Sequence, residues 1–523
     1  MRSLFRFSCL IIFTCVSPEA VFAEEPSEGH AALEAEHSLE MGRRRLNRVP
    51  SGPSPRPALR AGDPTGPRLT REVIGYLPYW SHSAADPYVP ARWDLISTLA
   101  WFAVGMDGTG AVGKLNGWGG AATAAITAEA HRHGVKVVVT ITNFADAEIT
   151  SILGSATNRA RAIATCLSLM DRHGADGVNI DFEFVPRVSK DDFVTFMTDL
   201  KTAVRERQPN GHDGHVTLAG PSVDWNGSYR YRALLENTDG IMVMAYGYHY
   251  GGGNPGPNSP LESGTLWRTR SIAWTVADYR EYGGAENMHK VFIGLPWYGR
   301  AWQVADQTIP GTKLANGSSK FYVDAEPQAQ ANGKSFEPIS RSPYYHYTSG
   351  GKLYQTWYDD ERSLTDKIAW IDDEALGGIG IWALGYEGDG PDLWNSIDFT
   401  IGPLGPNWVD PEPVEPGPEA APEIGPEVGP EPSPEADPEP ADAAPDSFGD
   451  DVAEPAGEAD VDRDPGSTSR PSNVAPTRQV SLITKVDPGE GCQGGGRGAG
   501  AWSLLALLGL LALGRRSSGS ARS

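Results

Sequence analysis

A run of alternating residue types in the middle of the chain has the composition of a catalytic site. In residues 176–183 (DGVNIDFE), the polar residues Asn179, Asp181 and Glu183 alternate with apolar ones. This period of two is typical of a β-strand, in which residues two apart point to the same face. Burying two unpaired carboxyl groups and an amide costs several kcal/mol, so such a column indicates a function if the strand is buried. Paired carboxyl groups at the end of a strand can transfer protons to and from a glycosidic bond; the alternative is an edge strand with acidic residues in water.

Repeated strand-helix units in the sequence predict the fold that positions these three polar residues. From Arg71 onward, apolar runs alternate with segments of helical periodicity, which is typical of a parallel sheet covered by helices. The predicted strands are 73–77, 95–104, 135–142, 178–183, 216–219, 240–246, 291–295 and 378–384. An aromatic-rich stretch, 303–358, interrupts the pattern between the last two. We therefore predict a (β/α)8 barrel over residues 71–403, with a small insertion between strands seven and eight.

The motif Asp-Gly-x-Asn-x-Asp-x-Glu resembles the characteristic strand of glycoside hydrolase family 18, which contains chitinases and endo-N-acetylglucosaminidases. The family usually has Asp where this chain has Asn179, and the Asn form is similar to spore-cortex glucosaminidases and chitobiases. Further stretches resemble the family in the right order: Gly75-Tyr76 with Trp80, Met244-Ala245-Tyr246, Gly294 to Arg300, Thr356 to Asp360, and Gly380-Ile381-Trp382.

The resemblance implies a mechanism in which the substrate's own acetamido group attacks the anomeric carbon. Glu183 would protonate the glycosidic oxygen and then activate water, and burial together with the Asp181 charge would favour its protonated form. Asp181 would hold the acetamido N–H, and Tyr246 would donate to its carbonyl oxygen. Asn179 and Asp176 would support this group from deeper in the barrel.

The resemblance also implies a sugar-binding cleft. Trp382 would form the floor beneath the reacting sugar, although a lone Trp is more often a core residue. The remaining candidates for lining the cleft are Tyr76, Trp80, Phe102, Met244, Tyr298 and Arg300. One departure bears on affinity, because the family commonly has an Asp where this chain has Gly247.

The expected function is hydrolysis of β-1,4-linked N-acetylglucosamine polymers, with chitin first and peptidoglycan or N-glycan cores next. The alternative is a lectin-like protein that binds such glycans without cleaving them. No cofactor and no metal site are expected, since no ligand cluster or phosphate-binding loop is evident. We expect a monomer. No nucleic-acid binding is expected, because the net charge is −23 and is still −5 when the 18 acidic residues of 410–462 are left out, so no basic surface is indicated.

The segments on either side of the barrel predict export. Residues 1–23 have the basic start and apolar centre of a signal peptide. Residues 24–70 have no periodic pattern and predict a disordered leader. Cys9 and Cys15 would leave with the signal peptide, and Cys166 is expected to be a core residue, so a disulfide framework is not expected.

The C-terminal part predicts attachment to the cell surface. Residues 404–490 are acidic and Pro-rich and predict an extended linker. Residues 491–523 contain Cys492, an apolar run from Ala501 to Leu513 and two Arg residues, which together resemble the C-terminal sorting tags of exported myxobacterial proteins. This segment would hold the chain in the membrane until processing at Cys492, and the alternative is a plain anchor. The protein is thus expected to be extracellular or attached to the cell surface.

Overall fold

The computed structural model describes residues 30–47, 66–83, 88, 90–268 and 270–406, with side chains of the first range described for 32–42. The predicted signal peptide, nearly all of the predicted linker and the C-terminal segment with Cys492 lie outside these residues and stay predictions. Among the helices of the described ranges, none is both long and apolar enough to cross a membrane.

The strands of the described residues form two sheets. In chain order they are β1 (Glu72–Pro78), β2 (Thr98–Met106), β3 (Val112–Lys114), β4 (Lys136–Asn143), β5 (Gly177–Phe182), β6 (His215–Pro221), β7 (Gly240–Met244), β8 (Val291–Pro296), β9 (Tyr298–Gln303), β10 (Ser318–Phe321), β11 (Ser335–Glu337), β12 (Ser342–Ser349), β13 (Lys352–Trp357) and β14 (Gly378–Trp382).

The helices are α1 (His30–Asn47), α2 (Ala121–Arg132), α3 (Asp146–Gly154), α4 (Ala156–Asp171), α5 (Lys190–Arg207), α6 (Tyr231–Asn237), α7 (Ile272–Gly283), α8 (Tyr322–Asn332), α9 (Glu361–Asp373) and α10 (Asp392–Asp398).

The first sheet is a closed parallel barrel. Its strands follow the order β1-β14-β8-β7-β6-β5-β4-β2, and β1 also pairs in parallel with β2, which closes the ring. Strand β3 pairs antiparallel with the end of β2. The predicted (β/α)8 fold is confirmed, and in such barrels the loops at the carboxyl ends of the strands carry the active site.

The packing of β5 explains which way its polar residues point. Phe182 stacks on Phe196 of α5, with ring centroids 5.9 Å apart and planes within 8° of parallel. Because successive side chains of a strand alternate between faces, Asp181 and Glu183 point away from α5 and into the barrel.

The insertion is a second sheet rather than a loop. Its five antiparallel strands have the order β10-β9-β13-β12-β11, and α8 lies between β10 and β11 in the chain. It begins at Tyr298, and not at Gln303 as predicted. Only Trp297 separates the end of β8 from the start of β9.

The structure differs from the predicted disorder of residues 24–70, because α1 lies within that range. Its buried residues are Leu33, His37 and Met41, and the intervening Leu39 is exposed. A spacing of four residues places the three buried side chains on one face of a helix. Most of the other residues of α1 are polar, so the composition of this segment does not indicate a buried face.

The prediction for Cys166 is confirmed. It lies on the buried face of α4 as a free thiol. Burial raises the pKa of this thiol to about 12, so it is not a nucleophile at neutral pH.

Candidate active site

The polar column lies at the carboxyl end of β5, inside the barrel. Asn179 is fully buried, Asp181 is 1% exposed and Glu183 is 7% exposed. The backbone N–H of Glu183 donates to the carbonyl of Asn143 at the end of β4 (3.2 Å). Glu183 is therefore held at the rim by the sheet itself, one residue beyond the end of β5.

Asn179 is anchored from the neighbouring strand. Its side-chain N–H donates to the hydroxyl of Thr217 on β6, at 2.9 Å. An amide at this position carries no charge, so Asp181 has no like-charged neighbour on the strand below it.

Tyrosine hydroxyls surround the carboxyl groups. Burial, and after it the charge of Asp181, raise the pKa of Tyr76 well above its usual value. Burial also raises the pKa of Tyr246, with further contributions from Tyr298 and then Asp181. Both hydroxyls therefore remain protonated at neutral pH and can donate hydrogen bonds into the site.

A third tyrosine was missed by the sequence analysis. The Tyr229 hydroxyl donates to the carbonyl of Phe182, one residue before the acid, at 2.7 Å. Its pKa is raised by burial and then by the charges of Glu183 and Asp181. Tyr229 follows the fifth barrel strand in a loop, and nothing in the local sequence indicates that it reaches back to the fourth.

Trp382 lies where a cleft floor is expected. It ends β14, which is separated from β5 by three strands in either direction around the barrel. Phe102 contacts it edge to face at 4.7 Å between centroids, and Tyr76 and Trp80 lie at 6.0 and 6.4 Å. Trp80 in turn donates to the Tyr386 hydroxyl (3.1 Å), another residue that the sequence analysis missed. The site therefore joins four of the predicted aromatic residues.

The remaining predicted binding residues lie beside this group. Tyr298 begins β9 with its ring 6.3 Å from that of Tyr246, and the Arg300 guanidinium lies 6.0 Å from the Tyr298 ring. Met244 ends β7 and is half-buried.

Asp176 is not part of the site, which corrects the prediction of a supporting role. It precedes β5, and the five residues to Asp181 span about 16 Å of strand. It accepts hydrogen bonds from His131 (2.8 Å), His212 (3.0 Å) and the Val137 amide (2.7 Å). Asp176 therefore links the end of α2, the start of β4 and the loop before β6 at the other end of the barrel.

Comparison with known proteins agrees with this geometry. Residues 72–387, more than half of the chain, match the family described as Glycosyl hydrolases family 18. The chain belongs to this family.

Two relatives and one solved structure show how far the similarity extends. A putative sporulation-specific glycosylase of Bacillus subtilis, YdhD, is 28% identical over 51% of this chain and 60% of its own length. A probable endochitinase of Caenorhabditis elegans is 27% identical over 47% of this chain and 42% of its own. The chain thus spans about half the length of these relatives. A Cycas revoluta family 18 chitinase in complex with (GlcNAc)4 superposes with a TM-score of 0.54 at 18% identity, covering 60% of this chain and 96% of that one.

The departure from the family at Gly247 has a structural counterpart. Gly247 has a φ of +74°, in the left-handed region that favours glycine. Its N–H donates to the side-chain oxygen of Asn258 (2.9 Å), and the Asn258 amide donates to the carbonyl of Tyr298 (3.1 Å). Asn258, which the sequence analysis did not identify, thereby connects the loop after Tyr246 to β9.

Asp176→Asn should lower stability without changing the chemistry. Burial alone would raise the pKa of the Asp176 carboxyl group. Hydrogen bonds from His131, Val137, Asn210 and His212 more than offset the effect of burial and lower this pKa to about 2. A carboxyl group whose pKa falls from 3.8 to about 2 on folding stabilises the protein by about 2 kcal/mol above pH 4. Urea unfolding at pH 7 should show this loss, and the difference should shrink at pH 3, where the wild-type carboxyl group loses its advantage. A large fall in kcat of the folded variant would instead place Asp176 in the active site.

Glu183→Gln should abolish hydrolysis while oligosaccharide binding survives. The amide keeps the shape of the acid but has no proton to give to the leaving group. Turnover of a chitooligosaccharide and its affinity by calorimetry would measure the two effects separately.

Glu148→Gln is the matched control, because Glu148 is an exposed carboxylate near the same end of the barrel that accepts from Asn143 (2.8 Å). This control should keep nearly full activity. More than a few per cent of wild-type turnover in the Glu183 variant would show that another residue is the acid.

Proposed function

We propose that this protein hydrolyses β-1,4-linked N-acetylglucosamine polymers with the substrate's acetamido group as nucleophile. The observation that carries the proposal is the grouping of Asp181, Glu183 and the Tyr246 hydroxyl at the mouth of the barrel, opposite Trp382. These supply an acid, a charge and a donor around one sugar-binding position, as substrate-assisted hydrolysis needs.

In the proposed reaction, Glu183 gives its proton to the glycosidic oxygen as the bond to the anomeric carbon breaks. The acetamido carbonyl oxygen attacks that carbon from the opposite face and forms a cyclic oxazolinium ion. Asp181 accepts the acetamido N–H and stabilises the positive charge, while Tyr246 orients the carbonyl oxygen. Glu183 then takes a proton from water as the water oxygen attacks the anomeric carbon and the bond from that carbon to the acetamido oxygen breaks. This second displacement leaves the product with the original anomeric configuration.

The relatives support a substrate built from N-acetylglucosamine. Their names include a probable endochitinase and a sporulation-specific glycosylase, and the similar Cycas chitinase was solved with (GlcNAc)4. We propose chitin or chitooligosaccharides as the first candidate and peptidoglycan as the second, with N-glycan cores after them.

The second candidate function is glycan binding without cleavage. Gly247 favours it, since the position lacks the carboxylate common in the family. The buried Asp181 and Glu183 argue against it, because a protein that only binds sugars has no need to keep two carboxyl groups out of water.

We also propose that the protein acts outside the cell. The predicted signal peptide and the predicted attachment segment at Cys492 support this location, and the acidic linker would hold the barrel away from the surface.

An activity panel tests the function directly. The full-length protein should release reducing ends from chitotetraose and chitohexaose, and more slowly or not at all from peptidoglycan and high-mannose glycan. Each reaction would be compared with the Glu183→Gln variant, which removes the acid but not the cleft. Binding of chitotetraose with no cleavage by either protein would favour the lectin-like function instead.

A further inference from the structure

Helix α1 packs against the barrel through a continuous face. Leu33 and Met41 belong to the same buried apolar cluster as the barrel core, and His37 between them is fully buried. Leu39, on the other side of the helix, is 58% exposed. The helix thus has one face that matches the barrel and one that is exposed.

Glu36 of α1 binds two groups beside the proposed cleft. One carboxylate oxygen lies 3.4 Å from the guanidinium of Arg300, which is 1% exposed, and the other accepts the backbone N–H of Ser319. Arg300 is one of the residues predicted to bind substrate. If Arg300 binds substrate as predicted, Glu36 occupies part of the surface that the sugar needs.

His37 makes the closest set of contacts to the site. Its ring meets Tyr298 edge to face at 4.6 Å between centroids, and its two nitrogens lie 3.0 Å from the Ser319 hydroxyl and 3.1 Å from the Tyr386 hydroxyl. Tyr298 in turn packs beside Tyr246. A single aromatic ring thus separates α1 from a proposed catalytic side chain.

The position of these contacts identifies which end of the cleft α1 covers. The reacting sugar would lie over Trp382 on β14, with its leaving oxygen towards Glu183 on β5 across the barrel. The sugars on the other side of the reacting one, the glycone side, must then leave the barrel away from β5. The α1 contacts lie there: Tyr79 just after β1, which donates to Glu34 (3.2 Å), Tyr298 and Arg300 on β9, and Ser319 on β10.

We propose that α1 is an intramolecular inhibitor, which occupies the glycone end of the cleft and must leave before a polymer can bind. The proposal rests on the proposed function in so far as the ligand displaced is a sugar chain. It concerns a segment outside the catalytic barrel, and α1 and substrate compete for the same two residues, Tyr298 and Arg300.

The test compares chitotetraose affinity in the otherwise full-length chain, with Glu183→Gln in every protein to prevent hydrolysis. Deletion of residues 24–47 should tighten binding, and Glu36→Ala should tighten it several-fold as well, since it removes the carboxylate that α1 presents to the buried Arg300 guanidinium and to the Ser319 N–H. Leu39→Ala is the matched control, because this residue lies on the exposed face of α1, and it should bind as the parent does. A peptide of residues 30–47 should weaken sugar binding to the deleted chain competitively.

Amide hydrogen exchange of residues 32–42 measures docking without any sugar. These amides should exchange slowly in the parent and in Leu39→Ala, and faster in Glu36→Ala or when chitotetraose is added. Equal chitotetraose affinity with and without residues 24–47 would overturn the proposal, as would fast exchange in the parent.

The same two measurements separate this proposal from the proposed function. If no form of the protein binds chitotetraose, the assigned substrate is wrong. Exchange then decides about α1 alone: slow exchange that Glu36→Ala abolishes supports docking at Arg300, and exchange unaffected by Glu36→Ala refutes it.

Discussion

The structure depends on keeping two carboxyl groups out of water at the end of one strand. Asp181 and Glu183 are nearly inaccessible, and burial of this kind is unfavourable unless polar partners compensate for lost hydration. Groups from several strands and loops build the polar site around them: Thr217 accepts from the Asn179 amide, Tyr229 donates to the Phe182 carbonyl, and the buried Tyr246 stays protonated near the charge of Asp181. A closed barrel brings these groups to one place because all its strands end on the same side.

The elements outside the barrel can be understood from the same constraint. A deep polar site needs walls, and the inserted sheet supplies them through Tyr298, Arg300 and Ser319. The same wall offers α1 a guanidinium, a backbone amide and aromatic rings, which fit Glu36 and His37 of the helix as well as they fit a polar sugar. In this account, the features that would recognise substrate also explain why α1 docks where it does.

Much of the fold could be predicted from the sequence, because barrel strands are long apolar runs and their helices are strongly periodic. Helix α5 is an example, since Phe193, Phe196, Met197 and Leu200 recur at helical spacing in the sequence and are all buried on one face. Helix α1 could not be predicted, because a polar residue, His37, lies at the centre of its buried face. The partners that bury this histidine belong to distant parts of the chain and cannot be found from the local sequence. Asp176 was assigned to the site because it is the first residue of the motif, whereas strand geometry places it at the other end of the barrel. Tyr229 and Asn258 reach the site from loops, and contacts between distant loops leave no mark in local sequence.

The most direct test of the proposed mechanism is to vary the nucleophile while keeping the rest of the substrate fixed. Chitobiosides with the same leaving group would carry an N-acetyl, N-fluoroacetyl, N-difluoroacetyl or N-trifluoroacetyl group on the reacting sugar. Each fluorine makes the carbonyl oxygen a poorer nucleophile, so kcat/KM should fall steadily along the series if that oxygen attacks the anomeric carbon. Values of kcat/KM that do not change with fluorine content would contradict the account, because the nucleophile would then have to come from the protein.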